Sequence, residues 1–374
     1  MALNTVSSDR LATNVKTSNL GTELKKKVGQ NKNIIINGAM NVAQRGTSST
    51  GLGASAGYFT LDRYRTTFNA TAGRVTMEQV ADVHDGFANA LKFSCTTADT
   101  SVAAGEYFML QQKIEGQDLQ QLKKGSSDAE EFTVSFYVKG NASATYVVEM
   151  FDLDNNRQIS KTFSVTTNWT RVELTFPGDT TGAFDDDNAA SLQLAIWLHA
   201  GSTYSSGTLN SSAFAANTNA NRAVGISSIF DSTARTFFIT GLQLEVGSVA
   251  TDFEHRSFAQ ELALCQRYFE KSFAYSYAPV QNESVSVGYY FMKSEGSQLR
   301  SNNIFFKVPK RGNPTMTYFN PYAANANARL PFSSTDLAGI ATNTAGENWF
   351  SFHSSDNSPS PTLVHLQWTA NAEL

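Results

Sequence analysis

Four glutamates stand at strand-like positions where they could carry hydrolytic chemistry: Glu106, Glu131, Glu149 and Glu173. A glycosidase needs two carboxyl groups about 5–9.5 Å apart, one on each side of the sugar. The spacing of these glutamates does not indicate which of them share a face of a sheet, and carboxylates that point outward from half-exposed strands explain them better. No nucleophile elbow, phosphate-binding loop or HExxH pattern occurs. We therefore assign no catalytic residue and expect a protein that is not an enzyme.

Calcium binding is a second chemistry to consider, because Asp152, Asp154 and Asn156 imitate the start of an EF-hand loop. The sixth and twelfth positions of that loop require glycine and glutamate, but here they are arginine and phenylalanine. A hairpin turn is the better interpretation. A separate run of three aspartates, residues 185–187, is predicted to be a solvated turn. We expect no metal and no cofactor, and structural calcium lacks support.

Sugar recognition commonly uses an exposed aromatic ring beside hydrogen-bonding side chains. Four aromatic residues at expected loop tips are the platform candidates: Tyr204, Tyr318, Tyr322 and Trp349. Trp197 alternates with apolar neighbours and is predicted to lie in the core. The histidines in strand contexts lack metal-ligand spacing and are expected to be structural: His199, His255 and His365. The sequence therefore supplies a hypothesis of glycan binding without a complete site.

The composition is that of a β-protein with few charges. Charged residues make up 17%, against about 25% in an ordinary soluble domain, while Phe numbers 26 and Tyr 13. The net charge of −4 and the lack of clustered Lys and Arg argue against nucleic-acid binding. Cys95 and Cys265 lack CxxC spacing and are expected to be buried apolar residues. Without a signal-peptide core or an apolar run of about 20 residues, we expect synthesis in a cytoplasm and no membrane insertion.

Short alternating segments separated by turn residues predict an antiparallel β-sandwich in the first two thirds of the chain. Ten strands are predicted, near residues 58–68, 73–80, 90–96, 104–115, 131–139, 144–151, 159–166, 169–176, 191–199 and 235–245. Residues 200–234 are rich in Ser, Asn and Ala, and a connection of that length is often functional. The β-character returns in residues 273–374, which predicts a second, smaller β-domain.

Residues 235–272 join the two β-regions. After a strand, apolar residues recur at three- and four-residue steps, which predicts a helix with this buried face: Phe258, Leu262, Leu264, Cys265, Tyr268 and Phe269. Ser257 and Glu261 indicate its N-terminal cap. Charges embedded in aromatic segments, at Asp62-Arg63 and Glu254-His255-Arg256, are predicted to be buried polar links between the linker and the sandwich.

Two stretches precede the sandwich. Residues 1–31 are polar and carry a weak apolar stripe formed by Leu11, Val15, Leu20, Leu24 and Val28. Such an arm is too short to form its own core, so it needs its own domain, sister chains or another protein as a partner. A β-run at Ile34–Ile36 follows, then a turn at Asn37-Gly38 and a flexible polar loop at residues 46–57.

The sequence thus predicts five parts: an N-terminal helical anchoring arm at 1–31, a linker at 32–56, a β-sandwich at 57–256, a connecting helix at 257–272 and a C-terminal β-domain at 273–374.

Four segments carry a resemblance to a known family. The run GLQLEVGSVATDFEHRSFAQELALCQRYFEKS (residues 241–272) closely resembles a segment that recurs in tail-fibre and related virion proteins of tailed bacteriophages. Three further segments fit that family in the expected order: NIIINGAMNVAQRG with the following LDRYR, VPKRGNPTMTYF, and QWTANAEL. Together they span most of the chain.

The resemblance implies a structural protein of the virion, commonly a trimeric fibre with carbohydrate-binding-like β-sandwich modules, and it favours a jelly roll for the main sandwich. We expect a tail-fibre component that assembles in the host cytoplasm, joins other virion proteins through residues 1–31 and binds host surface polysaccharide. Two other classes remain open. One is a non-adhesive tail adaptor, nozzle-associated part or capsid decoration, and the other is a polysaccharide depolymerase.

Overall fold

The computed structural model describes residues 32–293, 298–357 and 363–374. The predicted anchoring arm, with Leu11, Val15, Leu20, Leu24 and Val28, lies outside the described residues. The fold is mostly β, as predicted, and consists of a large jelly-roll sandwich, a connecting helix and a smaller β-domain. Within the described ranges, no helix has the length and apolar character that crossing a membrane would need.

Thirteen strands form the large sandwich: β1 (Ser48–Leu52), β2 (Gly57–Tyr58), β3 (Arg65–Asn69), β4 (Arg74–Val80), β5 (Ala90–Thr97), β6 (Tyr107–Glu115), β7 (Phe132–Gly140), β8 (Ala144–Asp152), β9 (Arg157–Val165), β10 (Thr170–Phe176), β11 (Ala190–Ala200), β12 (Ala215–Ala216) and β13 (Thr236–Val246). One sheet has the spatial order β1-β4-β5-β13-β7-β10, and the other has the order β12-β9-β8-β11-β6-β3-β2. Neighbouring strands pair antiparallel.

Alternation along the strands determines which side chains meet between the sheets. In β7, Phe132, Val134, Phe136 and Val138 enter the shared core, because successive side chains of a strand point to opposite faces. Strand β11 is buried on both faces. Its even-numbered residues from 192 to 198 enter the same core, while Ala195 and Trp197 belong to a separate cluster on the other side of the sheet. The predicted core position of Trp197 is therefore confirmed, although it lies in this outer cluster.

The strand predictions are confirmed with two corrections. The predicted strand 58–68 divides into β2 and β3. The polar loop predicted at 46–57 contains β1, which pairs with β4. Its residues are mostly exposed, so no alternation of apolar residues marks the strand.

The β-run predicted at Ile34–Ile36 is also corrected, because this segment forms no strand. Its backbone is bound largely by side chains instead: the amide of Ile36 donates to Gln112 Oε1, and Gln112 Nε2 donates back to the carbonyl of Ile36. The turn prediction that follows is confirmed, since Asn37 has a φ of 62°.

The part of the chain that the structure describes also contains two α-helices, α1 (Ser202–Ser205) and α2 (Phe258–Gln266). Five short 3₁₀ turns occur there as well: Gly116–Asp118, Gln120–Leu122, Asn219–Asn221, Ile229–Asp231 and Val285–Val287. Ser257 caps α2 as predicted, but it forms a capping box with Gln260 and not with Glu261. The carboxylate of Glu261 instead accepts a bond from the amide of Asn37. The predicted buried face is correct at Cys265 and wrong at Phe258 and Leu264, which are exposed because the short helix packs on one narrow side. Tyr268 and Phe269 are buried as predicted, but they lie beyond the helix, which ends at Gln266.

The described residues of the C-terminal domain form ten strands: β14 (Phe269–Lys271), β15 (Tyr290–Lys293), β16 (Gln298–Arg300), β17 (Ile304–Phe305), β18 (Thr315–Phe319), β19 (Ala328–Leu330), β20 (Thr335–Leu337), β21 (Ile340–Ala345), β22 (Trp349–Asn357) and β23 (Leu363–Asn371). One sheet is built around β23 and the other around β22. Their apolar faces share one core, which includes Phe350, Phe352, Leu366 and Trp368.

Buried ion pairs join the sandwich to the C-terminal domain. Arg63 binds Glu373, and Arg45 binds both Asp62 and Glu373. This confirms that Asp62 and Arg63 are buried polar contacts between the linker and the sandwich. The C-terminal segment also takes part, through Glu373. Of the other predicted link, Glu254 and Arg256 bind the backbone of residues 33 and 35, whereas His255 is exposed. The predicted domain boundaries stay a prediction.

Two lysines at this junction, Lys271 and Lys310, have buried ammonium groups. Lys271 Nζ donates to the carbonyl oxygens of Gln44 and Tyr275, at 2.7 and 2.9 Å. Burial lowers the pKa of Lys271 to about 8. Lys310 Nζ lies 2.8 Å from Glu270 Oε2 and also donates to main-chain carbonyls. Each ammonium therefore joins chain segments that are distant in sequence through charge-assisted hydrogen bonds.

Candidate functional site

The four predicted platform residues fall in different surroundings. Tyr204 is half-buried and packs edge-on against Tyr107. Tyr318 is 6% exposed, and its hydroxyl meets Thr342 Oγ1 at 3.0 Å, so no ring face is left for a sugar. Trp349 is half-buried at the start of β22. The remaining candidate, Tyr322, is 38% exposed and lies in a cluster that offers a recognition surface.

That cluster, the platform, consists of Tyr289, Tyr322 and His365. The His365 imidazole lies between the tyrosines, with ring centroids 4.4 Å from Tyr289 and 5.9 Å from Tyr322, and it is nearly parallel to the Tyr322 ring at 19°. The Tyr322 hydroxyl meets His365 Nδ1 at 3.1 Å. Tyr289 is 39% exposed, so both tyrosine side chains of the platform are partly exposed to solvent.

Polar side chains form a frame beside the platform. The Arg329 guanidinium lies 5.6 Å from the centroid of the Tyr322 ring and donates to Asp336 Oδ1 at 2.8 Å. Asn320 and Asn325 also donate to Asp336, at 3.0 and 2.8 Å. Asn320 Oδ1 in turn accepts a bond from the amide of Tyr322, which fixes the loop that presents this ring. Asn320 is fully buried and supports the frame from within, whereas the Arg329–Asp336 pair is partly exposed beside the rings.

The strands of one sheet position this site. His365 lies on β23, where it pairs with Arg329 of β19, and Tyr289 immediately precedes β15 on the other side of β23. Val364 and Leu366 point into the core, so alternation directs His365 to the opposite face. The sequence predicted only a structural role for His365 and missed its place in the platform. The alternation in LVHLQW could have shown that this side chain points away from the core.

Electrostatics keep the site neutral apart from its ion pair. Burial lowers the pKa of His365 below its ordinary value and raises the pKa of Tyr322 above its ordinary value. Burial alone would raise the pKa of Asp336, but bonds from Arg329, Asn325 and Asn320 lower it below its usual range. At neutral pH the platform therefore presents an uncharged imidazole and the Tyr322 phenol beside the Arg329–Asp336 pair.

Acidification is expected to weaken the platform. Because the pKa of His365 lies below 6.5, folding favours the neutral ring; this stability is complete above about pH 6.5 and is lost as the pH falls towards the lowered value. An imidazolium also cannot accept a bond from the Tyr322 hydroxyl. We expect the Tm of the native protein to fall more between pH 7.5 and pH 5 than that of His365→Asn, whose amide does not titrate. Equal decreases would contradict the prediction.

A second aromatic cluster, around Trp197, is covered by another segment of the chain. Residues 201–228, which we call the strap, cover the outer face of the seven-stranded sheet. Arg222 of the strap forms a two-pronged pair with Glu149, at 2.7 and 2.8 Å, and its guanidinium lies 4.9 Å from the ring centroid of Trp197. Trp197 Nε1 donates to the same carboxylate at 3.0 Å. Tyr204 belongs to this covered cluster, which explains why its ring packs inward.

A serine–histidine–glutamate chain fastens the end of the strap. His199 Nδ1 lies 2.7 Å from Ser228 Oγ, and His199 Nε2 lies 3.3 Å from Glu106 Oε2. These residue types also occur in hydrolases, but His199 is fully buried and Ser228 Oγ caps the 3₁₀ turn by accepting from Phe230. The arrangement holds the strap in place, in agreement with the structural role predicted for His199.

The four glutamates considered for catalysis do not gather at one site. Glu149 and Glu106 are buried in the two contacts just described, whereas Glu131 and Glu173 are exposed. Among the described residues, no three of His, Cys, Asp and Glu come together as a metal-binding group. The segment that imitates a calcium loop is a hairpin turn between β8 and β9, as predicted.

A groove of about 570 Å³ lies beside α2. Its apolar lining comes from three parts of the chain: Ile34, Ile36, Ala263, Leu264 and Val308. The polar side chains of Asp118, Gln121 and Arg267 also border it. Leu264 is 36% exposed there, on the side of the helix that the sequence predicted to be buried. Asn33, Arg256 and Gln260 complete the border, so the groove combines apolar and polar lining.

No protein-family model matches the sequence, and no curated protein matches it.

Solved structures match at low similarity. A family 30 carbohydrate-binding module is 10% identical, with a TM-score of 0.31 over 63% of this chain and 97% of the module. The family 11 carbohydrate-binding module of a Clostridium thermocellum cellulosomal cellulase is 13% identical, with a TM-score of 0.28 over 55% of this chain and 98% of the module. The enzymatically active domain of bacteriophage CBA120 tailspike protein 4 is 12% identical, with a TM-score of 0.29 over 57% of this chain and 21% of that chain. At these TM-scores we draw no conclusion on ligand or activity.

Proposed function

We propose that this chain is a structural protein of a bacteriophage virion, a fibre-like tail component that recognises a glycan of the host surface through Tyr289, Tyr322 and His365. The observation that carries glycan recognition is the platform, where two exposed tyrosine rings flank an imidazole beside the Arg329–Asp336 pair. Aromatic faces cover the apolar face of a sugar, and the neighbouring polar groups bond its hydroxyls. We propose no catalytic activity.

The place of the protein in the virion rests on the sequence resemblance. We propose assembly in the host cytoplasm, incorporation into the tail, and attachment to other virion proteins through residues 1–31. We also propose a homotrimer, because the resemblance implies one and because an arm this short cannot by itself bury the weak apolar stripe formed by Leu11, Val15, Leu20, Leu24 and Val28. Sedimentation equilibrium tests the trimer. A mass equal to that of the monomer across micromolar concentrations would contradict it.

Replacing Tyr322 by alanine is expected to weaken binding of the full-length protein to a bacterial surface polysaccharide about tenfold, because one stacking face is lost, at about 1.4 kcal/mol. Tyr289→Ala should have a similar effect. Binding would be screened against a panel of purified polysaccharides and then measured by calorimetry. Phe332→Ala is the matched control, since Phe332 is 82% exposed but belongs to no platform contact that the structure describes.

The result distinguishes this proposal from others. If native protein and control bind and both tyrosine variants bind equally well, the platform is not the site. If the native protein binds no polysaccharide and no intact cells, glycan recognition is wrong. Release of reducing ends from a polysaccharide would support the depolymerase.

A non-adhesive virion part is the second candidate, and the apolar groove beside α2 favours it. Ile36 and Leu264 offer a surface that a neighbouring virion protein would cover. This candidate predicts that Leu264→Asp prevents incorporation into particles while Tyr322→Ala leaves both incorporation and infection unchanged.

A further inference from the structure

Lys124 is a buried lysine whose ammonium group lies among four oxygen atoms. Nζ is 2.6 Å from Asp152 Oδ2 and 3.2 Å from Asp179 Oδ2. It also donates to the carbonyl oxygens of Thr181 and Gly182, at 2.7 and 2.6 Å. The Lys124 side chain is 4% exposed and that of Asp152 is fully buried. Two carboxylates and two main-chain carbonyls are the kinds of donor that proteins offer to hard cations.

Two loops and the end of β8 build this cage, and the backbone of the loops is shaped for it. Gly182 has a φ of +70°, and a Cβ there would lie 2.2 Å from Asn155 Oδ1. Gly125, directly after the lysine, has a φ of +83°, and a Cβ there would lie 2.6 Å from the amide of Ala183. Side chains other than glycine at either position would push the loops apart, since both positions combine a left-handed backbone with a close approach.

The charges of the cage balance only when the lysine is present. Arg157 binds Asp179 through two bonds, at 2.7 and 3.0 Å. Burial would raise the pKa of Asp179, but the bonds from Arg157, Thr181 and Lys124 lower it below its usual range. Two aspartates thus face one arginine and one lysine. Without the ammonium, the buried cage would hold an excess negative charge, which is costly unless a cation enters.

We infer that this loop cluster is a cation-binding site whose cation is supplied by the chain itself: the Lys124 ammonium stands where a metal ion would bind. The native fold therefore needs no calcium at this place, and removal of the amine opens a site that Ca²⁺ fills. This inference concerns the sandwich alone and does not depend on glycan recognition.

The distances select the ion. Three of the four oxygens lie 2.6–2.7 Å from Nζ, close to the 2.3–2.6 Å of Ca²⁺, while Asp179 Oδ2 at 3.2 Å has to approach by a further ~0.6 Å. Water in the space left by the side chain completes the six to eight ligands of the ion. Mg²⁺ requires near-octahedral geometry at about 2.0–2.1 Å and gives up its water reluctantly. We therefore expect Ca²⁺ to bind more tightly than Mg²⁺.

The test is thermal unfolding of the full-length chain with chelator, with about 5 mM Ca²⁺ and with about 5 mM Mg²⁺. We expect the native Tm to be the same in all three. Lys124→Ala should melt about 6–10 °C lower in chelator and recover most of that loss in Ca²⁺. Calorimetric titration with Ca²⁺ should show one site in the variant. If Lys124→Ala folds poorly, recovery of folded protein on adding Ca²⁺ is the same expected result.

Two variants serve as controls. Lys123→Ala removes the neighbouring amine, which is 53% exposed and pairs with Glu130, and should show no calcium response. Lys124→Ala combined with Asp152→Asn removes a ligand and should lose the rescue. The inference is overturned if the native protein loses stability in chelator, or if Ca²⁺ neither stabilises Lys124→Ala nor restores its folding.

Discussion

Replacing Arg63 by methionine is expected to lower the free energy of unfolding by about 3–5 kcal/mol, because it removes one of the two arginines that neutralise the buried carboxylate of Glu373 and leaves Arg45 alone to do so. Arg63 is 1% exposed and binds Glu373. It also donates to the carbonyl of Lys113 at 2.7 Å, and its guanidinium lies 3.4 Å from the ring centroid of Tyr268. One side chain thus contacts the sandwich, the segment after α2 and the C-terminal segment. Denaturation by urea, followed by circular dichroism, measures the loss.

A mutant cycle identifies the cause of that loss. Glu373→Gln should destabilise by a similar amount, and the double variant should lose much less than the sum of the two single losses. Lys92→Met is the control, because its pair with Glu78 is partly exposed and such pairs contribute about 0–1 kcal/mol. A loss for Arg63→Met that is no larger than this control would show that the junction does not depend on the pair.

Replacing Glu149 by alanine is expected to cost about 3–5 kcal/mol as well. Its fully buried carboxylate accepts two bonds from Arg222 and one from Trp197. The substitution leaves a guanidinium and an indole N–H without their acceptor beneath the strap. We therefore expect the strap to detach before the sandwich unfolds, so that limited proteolysis cuts residues 201–228 at temperatures where the native protein resists.

The control for this second prediction is Glu173→Ala. Glu173 also lies on a strand, but its side chain is 50% exposed and it pairs with Arg171 at the surface. We expect a change below about 1 kcal/mol and no new cleavage. Cleavage of the strap in both variants, or in neither, would mean that Glu149 does not hold it.

Much of the fold could be predicted because alternation along a strand is a local property. In β7 and β11 apolar residues recur at every second position, and both strands were predicted within two residues of their observed ends. The strand β1 was missed because its polar residues pair only through the backbone. At Ile34–Ile36 the opposite error occurred, because a strand was predicted where none forms. The apolar side chains there are buried or line the groove, and the amide of Ile36 bonds to the Gln112 side chain and not to a neighbouring strand.

The candidate site was predicted only in part, because its residues meet through long-range pairing. Tyr322 was identified from its place in a loop, but Tyr289 and His365 join it only when β15 and β23 align. Tyr318 was taken for a loop residue because it precedes a proline-containing turn, yet it lies in β18 opposite Trp368 and enters the core. Tyr318 is buried and Tyr322 is exposed because β18 ends between them, at Phe319.

The buried lysines make the chemistry of the surface different from what the sequence suggests. Lys124, Lys271 and Lys310 direct their amines into cages of carbonyl and carboxylate oxygens. Acylating reagents attack neutral, accessible amines, so these three positions are shielded from coupling in the folded chain. Attachment to a sensor surface or a dye through lysine consequently proceeds at the other amines. If one of these three lysines is acylated, the junction or the loop cage that encloses it has opened. The three lysines can therefore serve as internal markers of native structure.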